Sequence, residues 1–155
     1  MTDDEAPPHV RDEAADDVDY RANPEVYEIG RGEEGVFTVQ PYKSELLPSW
    51  RYVDREAADE AAEAIYERFE GYKADDDFVG MDMARKYLQM GYTRAMRYAR
   101  YPGGRKYEDG TEQEPIRWAD VDKRDAALVF EVWLRRVEDD DRYRRLEARH
   151  RERRD

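Results

Sequence analysis

Residues 79–101 carry the strongest structural signal in the sequence, an uninterrupted two-faced helical pattern. At about 100° per residue, small, apolar and tyrosine side chains fill one arc, and arginines and other polar side chains fill the other. Gly91, Ala95 and Ala99 recur every four residues on the apolar arc, so another part of the chain can approach that side closely. Pro102 and the two glycines that follow it end the pattern. We expect this helix to lie at the centre of the fold.

Other segments supply elements that pack around this helix. Asp54 is suited to cap a helix that ends at Gly71, residues 122–137 have an apolar helical stripe, and an Arg-rich helix follows residue 140. A single helical turn is expected at 44–47. Short apolar runs at 26–29, 36–39, 50–53 and 116–118 predict strands, the first two forming a hairpin, and Asp109-Gly110 predicts a tight turn. The predicted fold class is α+β, a small single domain of three or four helices packed with a minor antiparallel sheet or hairpin.

The first residues differ in composition from the rest of the chain. Residues 1–20 contain eight acidic residues and one basic residue, with Pro7-Pro8 among them and no hydrophobic period. Such a segment cannot bury enough apolar surface to fold. We therefore expect an acidic disordered leader at 1–18, followed by one domain at 19–155 that ends in the Arg-rich helix.

The composition excludes several chemistries. The chain has 155 residues, 39 acidic and 27 basic, a net charge of −12, and no cysteine. Thiolate catalysis, disulfides and Cys-based metal sites are therefore absent, and the only two histidines, His9 and His150, lie near opposite ends. No apolar run approaches the ~20 residues of a membrane span, and the acidic N-terminus does not resemble a secretory signal. We expect a cytoplasmic protein with no cofactor and no metal ion.

The basic residues are unevenly divided between arginine and lysine. Only five are Lys and 22 are Arg. Abundant carboxylates with scarce lysine are the balance expected of a protein kept soluble in concentrated salt. In that interpretation the net charge reflects the solvent and says little about partners.

One stretch has the opposite charge. Residues 79–107 contain seven basic residues and one acidic residue, a net charge of +6. Arginines on one helical face, followed by cations and tyrosines after a Gly-Gly loop, are what a protein presents to phosphates and unpaired bases. The leading hypothesis is a non-catalytic module that binds nucleic acid or another phosphate-bearing ligand. Its candidate residues are Arg31, Arg85, Lys86, Arg94, Arg97, Arg100, Tyr101, Arg105, Lys106 and Tyr107.

Three alternatives stay open. The basic face could pack against acids such as Glu56, Glu60 and Glu63, or against the leader, as an ion-pair network. An enzyme for a small anionic substrate would use Glu45 or Asp82 as acid or base, with Tyr42 and Lys43 nearby, and would need segments 30–51 and 82–107 to meet. A structural module would use its charged helices to contact a protein partner.

Two motifs have simple structural interpretations. Gly30-x-Gly32-x-x-Gly35 matches the dinucleotide fingerprint, but strand-forming residues follow it where the fingerprint needs a helix. We interpret it as a turn, with Arg31 at its tip as a candidate anion contact. Asp75, Asp76 and Asp77 have the composition of a metal site and also the position of a helix N-cap, which we favour.

Several segments together resemble a known family. The stretches that carry the resemblance are 19–27, 30–36, 40–51 and 77–107. With them the chain resembles the family of domain of unknown function 4385 from about Asp19 to about His150, and 77–107 is the most specific block. The resemblance implies a single-domain cytoplasmic protein and supplies no activity, cofactor or catalytic residue. The leader before Asp19 looks like an addition to the family pattern.

Overall fold

The computed structural model describes residues 18–30, 32–115 and 118–154. Arg31, the leader up to residue 17 and most of the strand predicted at 116–118 lie outside the described residues. Within the described part the chain forms five α-helices and one two-stranded antiparallel hairpin, so the predicted α+β class is confirmed, with more helices than the three or four expected. They are α1 (Tyr42–Leu46), α2 (Arg55–Ala74), α3 (Phe78–Arg100), β1 (Tyr107–Glu108), β2 (Thr111–Glu112), α4 (Val121–Glu138) and α5 (Asp141–Arg154).

Local signals set the helix ends. Asp54 and Asp77 are the N-caps of α2 and α3, and their carboxylates accept the backbone N–H of Ala57 and Gly80. The capping interpretation of Asp77 is therefore confirmed. The helix end predicted at Gly71 is wrong. Helix α2 continues three residues further, because Gly71 does not adopt the positive φ with which a glycine ends a helix.

Helix α3 lies at the centre, as its pattern predicts. It packs mainly against α4 and α2, while α5 lies across its first turns. At Gly91 an added Cβ would stand 2.6 Å from the Phe130 ring of α4, so only glycine lets these helices approach so closely. Near the end of α3, the backbone N–H of Ala119 donates to Ala99 O at 2.7 Å.

The strands predicted before α2 are wrong. Pro24–Val26 and Leu47–Ser49 are single 3-10 turns, and residues 32–39 form consecutive turns in which Val39 N–H donates to Gly35 O. These segments cover helices instead of forming the predicted hairpin, and Pro24–Val26 packs against α5 while Leu47–Ser49 packs against α1 and α2. Lys86 Nζ donates to Glu34 O at 2.6 Å, and Trp50 Nε1 donates to Tyr87 O at 3.1 Å. The side chains of Lys86 and Tyr87 thus donate to the backbone carbonyls of Glu34 and Val36, which a sheet would have paired.

The tight turn at Asp109-Gly110 is confirmed. It connects β1 and β2, which pair Tyr107 with Glu112 and Glu108 with Thr111. Asp109 and Gly110 both adopt positive φ, 52° and 79°, as a two-residue hairpin turn requires.

Candidate phosphate-binding surface

The end of α3 and the loop after it bring five cations to one region. We call them the basic patch: Arg94, Arg97, Arg100, Arg105 and Lys106. The four arginines are exposed and Lys106 is half-buried. None of the five forms an ion pair within the described part of the chain. The alternative in which Glu56, Glu60 and Glu63 neutralise this face is therefore wrong for these cations.

The loop that follows α3 is held against the helix. Gly103 and Gly104 adopt φ of 63° and 71°, and a Cβ at Gly104 would stand 2.8 Å from the Tyr98 ring. Arg97 Nε donates to Gly104 O at 2.7 Å. This bond uses one of the five guanidinium N–H groups and leaves the rest for other acceptors. The loop thus keeps Arg105 and Lys106 close to the end of the helix.

Helix electrostatics explain part of this charge. Arg97 and Arg100 lie in the last turn of α3, where cations stabilise the helix dipole. Arg94 lies further back, and Arg105 and Lys106 lie beyond the helix. The dipole therefore accounts for two of the five cations.

Tyrosines accompany the basic patch. Tyr107 is 55% exposed, with Lys106 Nζ 6.0 Å from its ring centroid, and Tyr101 is half-buried. Both belong to the predicted set. Exposed and half-exposed rings beside cations are suited to stacking with unpaired bases.

A row of three half-buried rings near Arg94 was not predicted. Ring centroids are 4.9 Å apart for Trp50 and Tyr52, and 6.0 Å apart for Tyr52 and Tyr98. Burial raises the pKa of the Tyr52 hydroxyl and the Arg94 charge acts in the opposite direction. The two-residue spacing of Trp50 and Tyr52 could have placed both on one side of an extended segment. No sequence signal joins them to Tyr98.

Arg85 and Lys86 do not belong to the exposed surface, which corrects their predicted place. Lys86 is 1% exposed, and its ammonium lies 5.4 Å from the Tyr27 ring. The Arg85 side chain is 13% exposed and donates from Nε to Asp82 at 2.8 Å and from Nη1 to Gln89 at 2.9 Å. The segment around Tyr27 and helix α5 cover this part of α3, so its polar arc faces protein.

Asp82 is the centre of a buried polar cluster. Its carboxylate accepts hydrogen bonds from the hydroxyls of Tyr27 and Tyr143 and from Arg85, and Asp82 is 0% exposed. Burial alone would raise the pKa of this carboxyl, but the Arg85 charge and the donors hold it below its ordinary value. Burial also lowers the pKa of the neighbouring Lys86. Asp82 and Arg85 thus form an ion pair one helical turn apart inside the protein.

The same cluster joins distant parts of the chain. Tyr143 belongs to α5, and His150 of α5 donates from Nε2 to the backbone carbonyl of Tyr27 at 2.6 Å. The Phe78 ring of α3 lies 5.1 Å from His150. Sequence reasoning missed this cluster because it required the N-terminal segment and α5 to meet on α3.

The acids of the enzyme alternative already have partners. Segments 30–51 and 82–107 do meet, but the Glu45 carboxylate binds Arg21 at 2.7 and 3.0 Å and the Tyr72 hydroxyl at 2.6 Å. Tyr42 donates its hydroxyl to Asp77, so it belongs to the same surface network as Arg21. Asp82 is buried in the separate cluster described above. Neither acid is the free acid or base that this alternative requires.

Three clefts lie away from the basic patch. One of about 550 Å³ lies between α2 and the start of α5, and one of about 380 Å³ lies beside Phe78 and His150. The third, of about 500 Å³, is lined by Tyr27, Gly30 and Glu34. The glycines of the dinucleotide fingerprint, Gly30, Gly32 and Gly35, are followed by turns and not directly by a helix. The fingerprint therefore lacks the helix N-terminus that would bind a pyrophosphate.

Within the described residues, no group of three His, Cys, Asp or Glu side chains could hold a metal ion. No helix there is long and apolar enough to span a bilayer.

Comparisons with known proteins identify one family. The sequence pattern of "Domain of unknown function (DUF4385)" matches residues 11–153. The match begins inside the acidic leader, so the leader is not wholly an addition to the family pattern. No curated protein and no solved structure matches the chain. Because the match covers most of the sequence, the chain belongs to the DUF4385 family.

Proposed function

We propose that this chain is a non-catalytic module that binds a nucleic acid strand, or another phosphate-bearing ligand, through the basic patch. The observation that carries the proposal is the lack of any ion pair at these five cations within the described residues, on a chain with net charge −12. Acidic residues outnumber basic ones, so carboxylate partners were abundant. Cations without such partners favour an anion from outside the chain.

The chemistry of the basic patch fits phosphate oxygens. Guanidinium groups bind phosphate in a bidentate manner, and these contacts remain useful in salt because they depend on hydrogen-bond geometry as well as charge. Arg97 is positioned for such contacts because its Nε bond to Gly104 O fixes the side chain. Cytoplasmic location and adaptation to concentrated salt remain part of this proposal.

Tyr101 and Tyr107 favour a single-stranded nucleic acid as the ligand. A duplex hides its base faces, whereas a single strand can stack them on aromatic side chains beside a cationic groove. A small phosphorylated compound would need the cations and would gain less from several rings.

The test is fluorescence anisotropy with labelled single-stranded and duplex DNA and RNA, at rising KCl concentrations. The variant Arg97→Gln/Arg100→Gln should lose saturable binding to the single strands. The matched control is Arg149→Gln/Arg153→Gln, which removes the same charge from exposed positions on α5. The control should bind as the wild type does.

The salt dependence measures the number of phosphates contacted, since each contributes a slope of about −0.7 for single strands. Binding of a mononucleotide as tight as that of a long strand would instead assign a small phosphorylated ligand. No binding at any salt concentration where the protein is folded would contradict the proposal. Equal loss in both variants would show that overall charge, and not the basic patch, controls binding.

A further inference from the structure

The outermost line of α4 is apolar. Val121, Leu128 and Val132 are 50%, 45% and 61% exposed. With about 3.6 residues per turn, these three positions lie within roughly 40° of one another on the helix. The opposite side of α4 already supplies Phe130, Leu134 and other residues to the core. Among the described residues, this line therefore remains largely uncovered.

Such a line is unusual on this chain. Charged residues make up 43% of the sequence, and the exposed positions of α5 are charged almost throughout. The spacings between the three apolar residues are seven and four, which is the spacing of a helix-pairing seam. Aligned exposed apolar residues with polar borders are typical of a contact with another helix.

Charged residues beside the apolar line favour a second α4 helix as the partner, in the antiparallel direction. Two α4 helices can pair in antiparallel directions with the twofold axis at the level of Phe130 along the helix. Leu128 of each copy then lies opposite Val132 of the other. The same register places Asp125 opposite Arg135, and the twofold axis repeats both contacts. A parallel pair would instead place Asp125 against Asp125 and Arg135 against Arg135.

Both charged side chains are accessible for this exchange. The Asp125 side chain is 34% exposed and pairs with its neighbour Arg124 at 2.8 Å. The Arg135 side chain is 69% exposed and lies 3.5 Å from Glu131. Surface pairs of this kind contribute little, so exchanging them for pairs across an interface costs little.

We propose that a second copy of this chain covers the apolar line of α4, forming an antiparallel twofold dimer. The proposal does not depend on the proposed function, because the basic patch is not part of this face. A seam on one helix is smaller than the ~1,200 Å² that stable interfaces bury. The dimer should therefore be reversible and depend on protein concentration.

Sedimentation equilibrium of the full chain at rising concentration tests the proposal. The wild type should show a monomer–dimer equilibrium, and Val132→Glu should weaken it by at least about tenfold, because two buried valines become charged. Val53→Glu is the control, since Val53 is 65% exposed outside α4. A wild type that stays monomeric, or a dimer that Val132→Glu leaves unchanged, would overturn the proposal.

Charge exchange tests the antiparallel register. Asp125→Arg and Arg135→Asp should each weaken the dimer, because each places like charges opposite each other. A mixture of the two single variants should associate, since one copy then carries two basic residues and the other two acidic residues at the facing positions. The double variant should also regain the dimer. Failure of both recoveries, with folded proteins by circular dichroism, would overturn this arrangement.

Discussion

The first turns of α3 and its last turns carry the same kinds of side chain in opposite surroundings. Asp82, Arg85 and Lys86 are covered by the N-terminal segment and α5, whereas Arg94 and Arg100 remain exposed. In the covered part every charge has a specific partner. In the open part no cation has a carboxylate partner among the described residues. The difference shows that the position of a charge along this helix, and not its residue type, decides whether another segment of the chain covers it.

The largest expected effect comes from removing the centre of the buried cluster. Asp82→Ala leaves Arg85 and the hydroxyls of Tyr27 and Tyr143 without their acceptor. Breaking a buried ion pair from one side costs about 3–5 kcal/mol, so the free energy of unfolding should fall by that amount. Urea denaturation measures it. Glu63→Gln, at an exposed position of α2, should change little, and a loss below about 1 kcal/mol for Asp82→Ala would contradict the structural role.

The same substitution, lysine to methionine, can be made in the covered part of α3 and in the open loop that follows the helix. Lys86→Met leaves Glu34 O without its donor and should lower the free energy of unfolding by about 1–3 kcal/mol. Lys106→Met, in the basic patch, should change it by less than about 0.5 kcal/mol. The same urea experiment compares them. Equal effects at the two lysines would break the distinction between the covered and open parts.

Acid should destabilise the covered part of α3 through Asp82. The folded pKa of Asp82 lies below its ordinary value, so its stabilising contribution is present above about pH 4 and disappears as the pH falls through the folded pKa. Asp82→Asn should therefore lose less stability than the wild type between neutral pH and about pH 2. Urea midpoints across this range measure the effect. Glu45 and Asp140 also have lowered pKa values, so the variant should retain part of the acid sensitivity.

A small effect on stability is also expected for the arginines of the basic patch. Arg97→Gln/Arg100→Gln should lower the free energy of unfolding by about 1 kcal/mol, because the favourable contact with the helix dipole and the exposed bond from Arg97 Nε to Gly104 O are lost. Its anisotropy signal with single-stranded DNA should nevertheless disappear. A variant that loses several kcal/mol would show that these arginines support the fold.

Several helix ends, the central helix and one turn were predictable from local sequence signals. Asp54 and Asp77 cap their helices, Pro102 follows the end of α3, and the Asp109-Gly110 turn forms where its residues indicate. Each signal acts within a few residues, so one sequence suffices to read it. The apolar arc of α3 likewise identified the central helix.

The errors arose where distant segments meet. A helical pattern shows that Arg85 and Lys86 share a polar arc, but it cannot show which part of that arc another segment covers. Apolar runs such as 36–39 resemble strands. The same spacing also occurs in a segment that lies over a helix and whose carbonyls accept hydrogen bonds from side chains such as Lys86. The Trp50, Tyr52 and Tyr98 row also depends on a contact between separate elements. These features follow from tertiary packing.

The bond between His150 and the Tyr27 carbonyl joins positions 123 residues apart. A contact with so large a sequence separation requires a costly loop closure, so it should form late in folding. During synthesis, α2 and α3 can associate soon after they emerge, but the bond between the Tyr27 carbonyl and His150 must wait for α5, which follows them in the chain. Until then, Asp82 also lacks the hydrogen bond from the Tyr143 hydroxyl. The order of translation therefore leaves the α5 side of the polar cluster open until α2, α3 and α4 have been made.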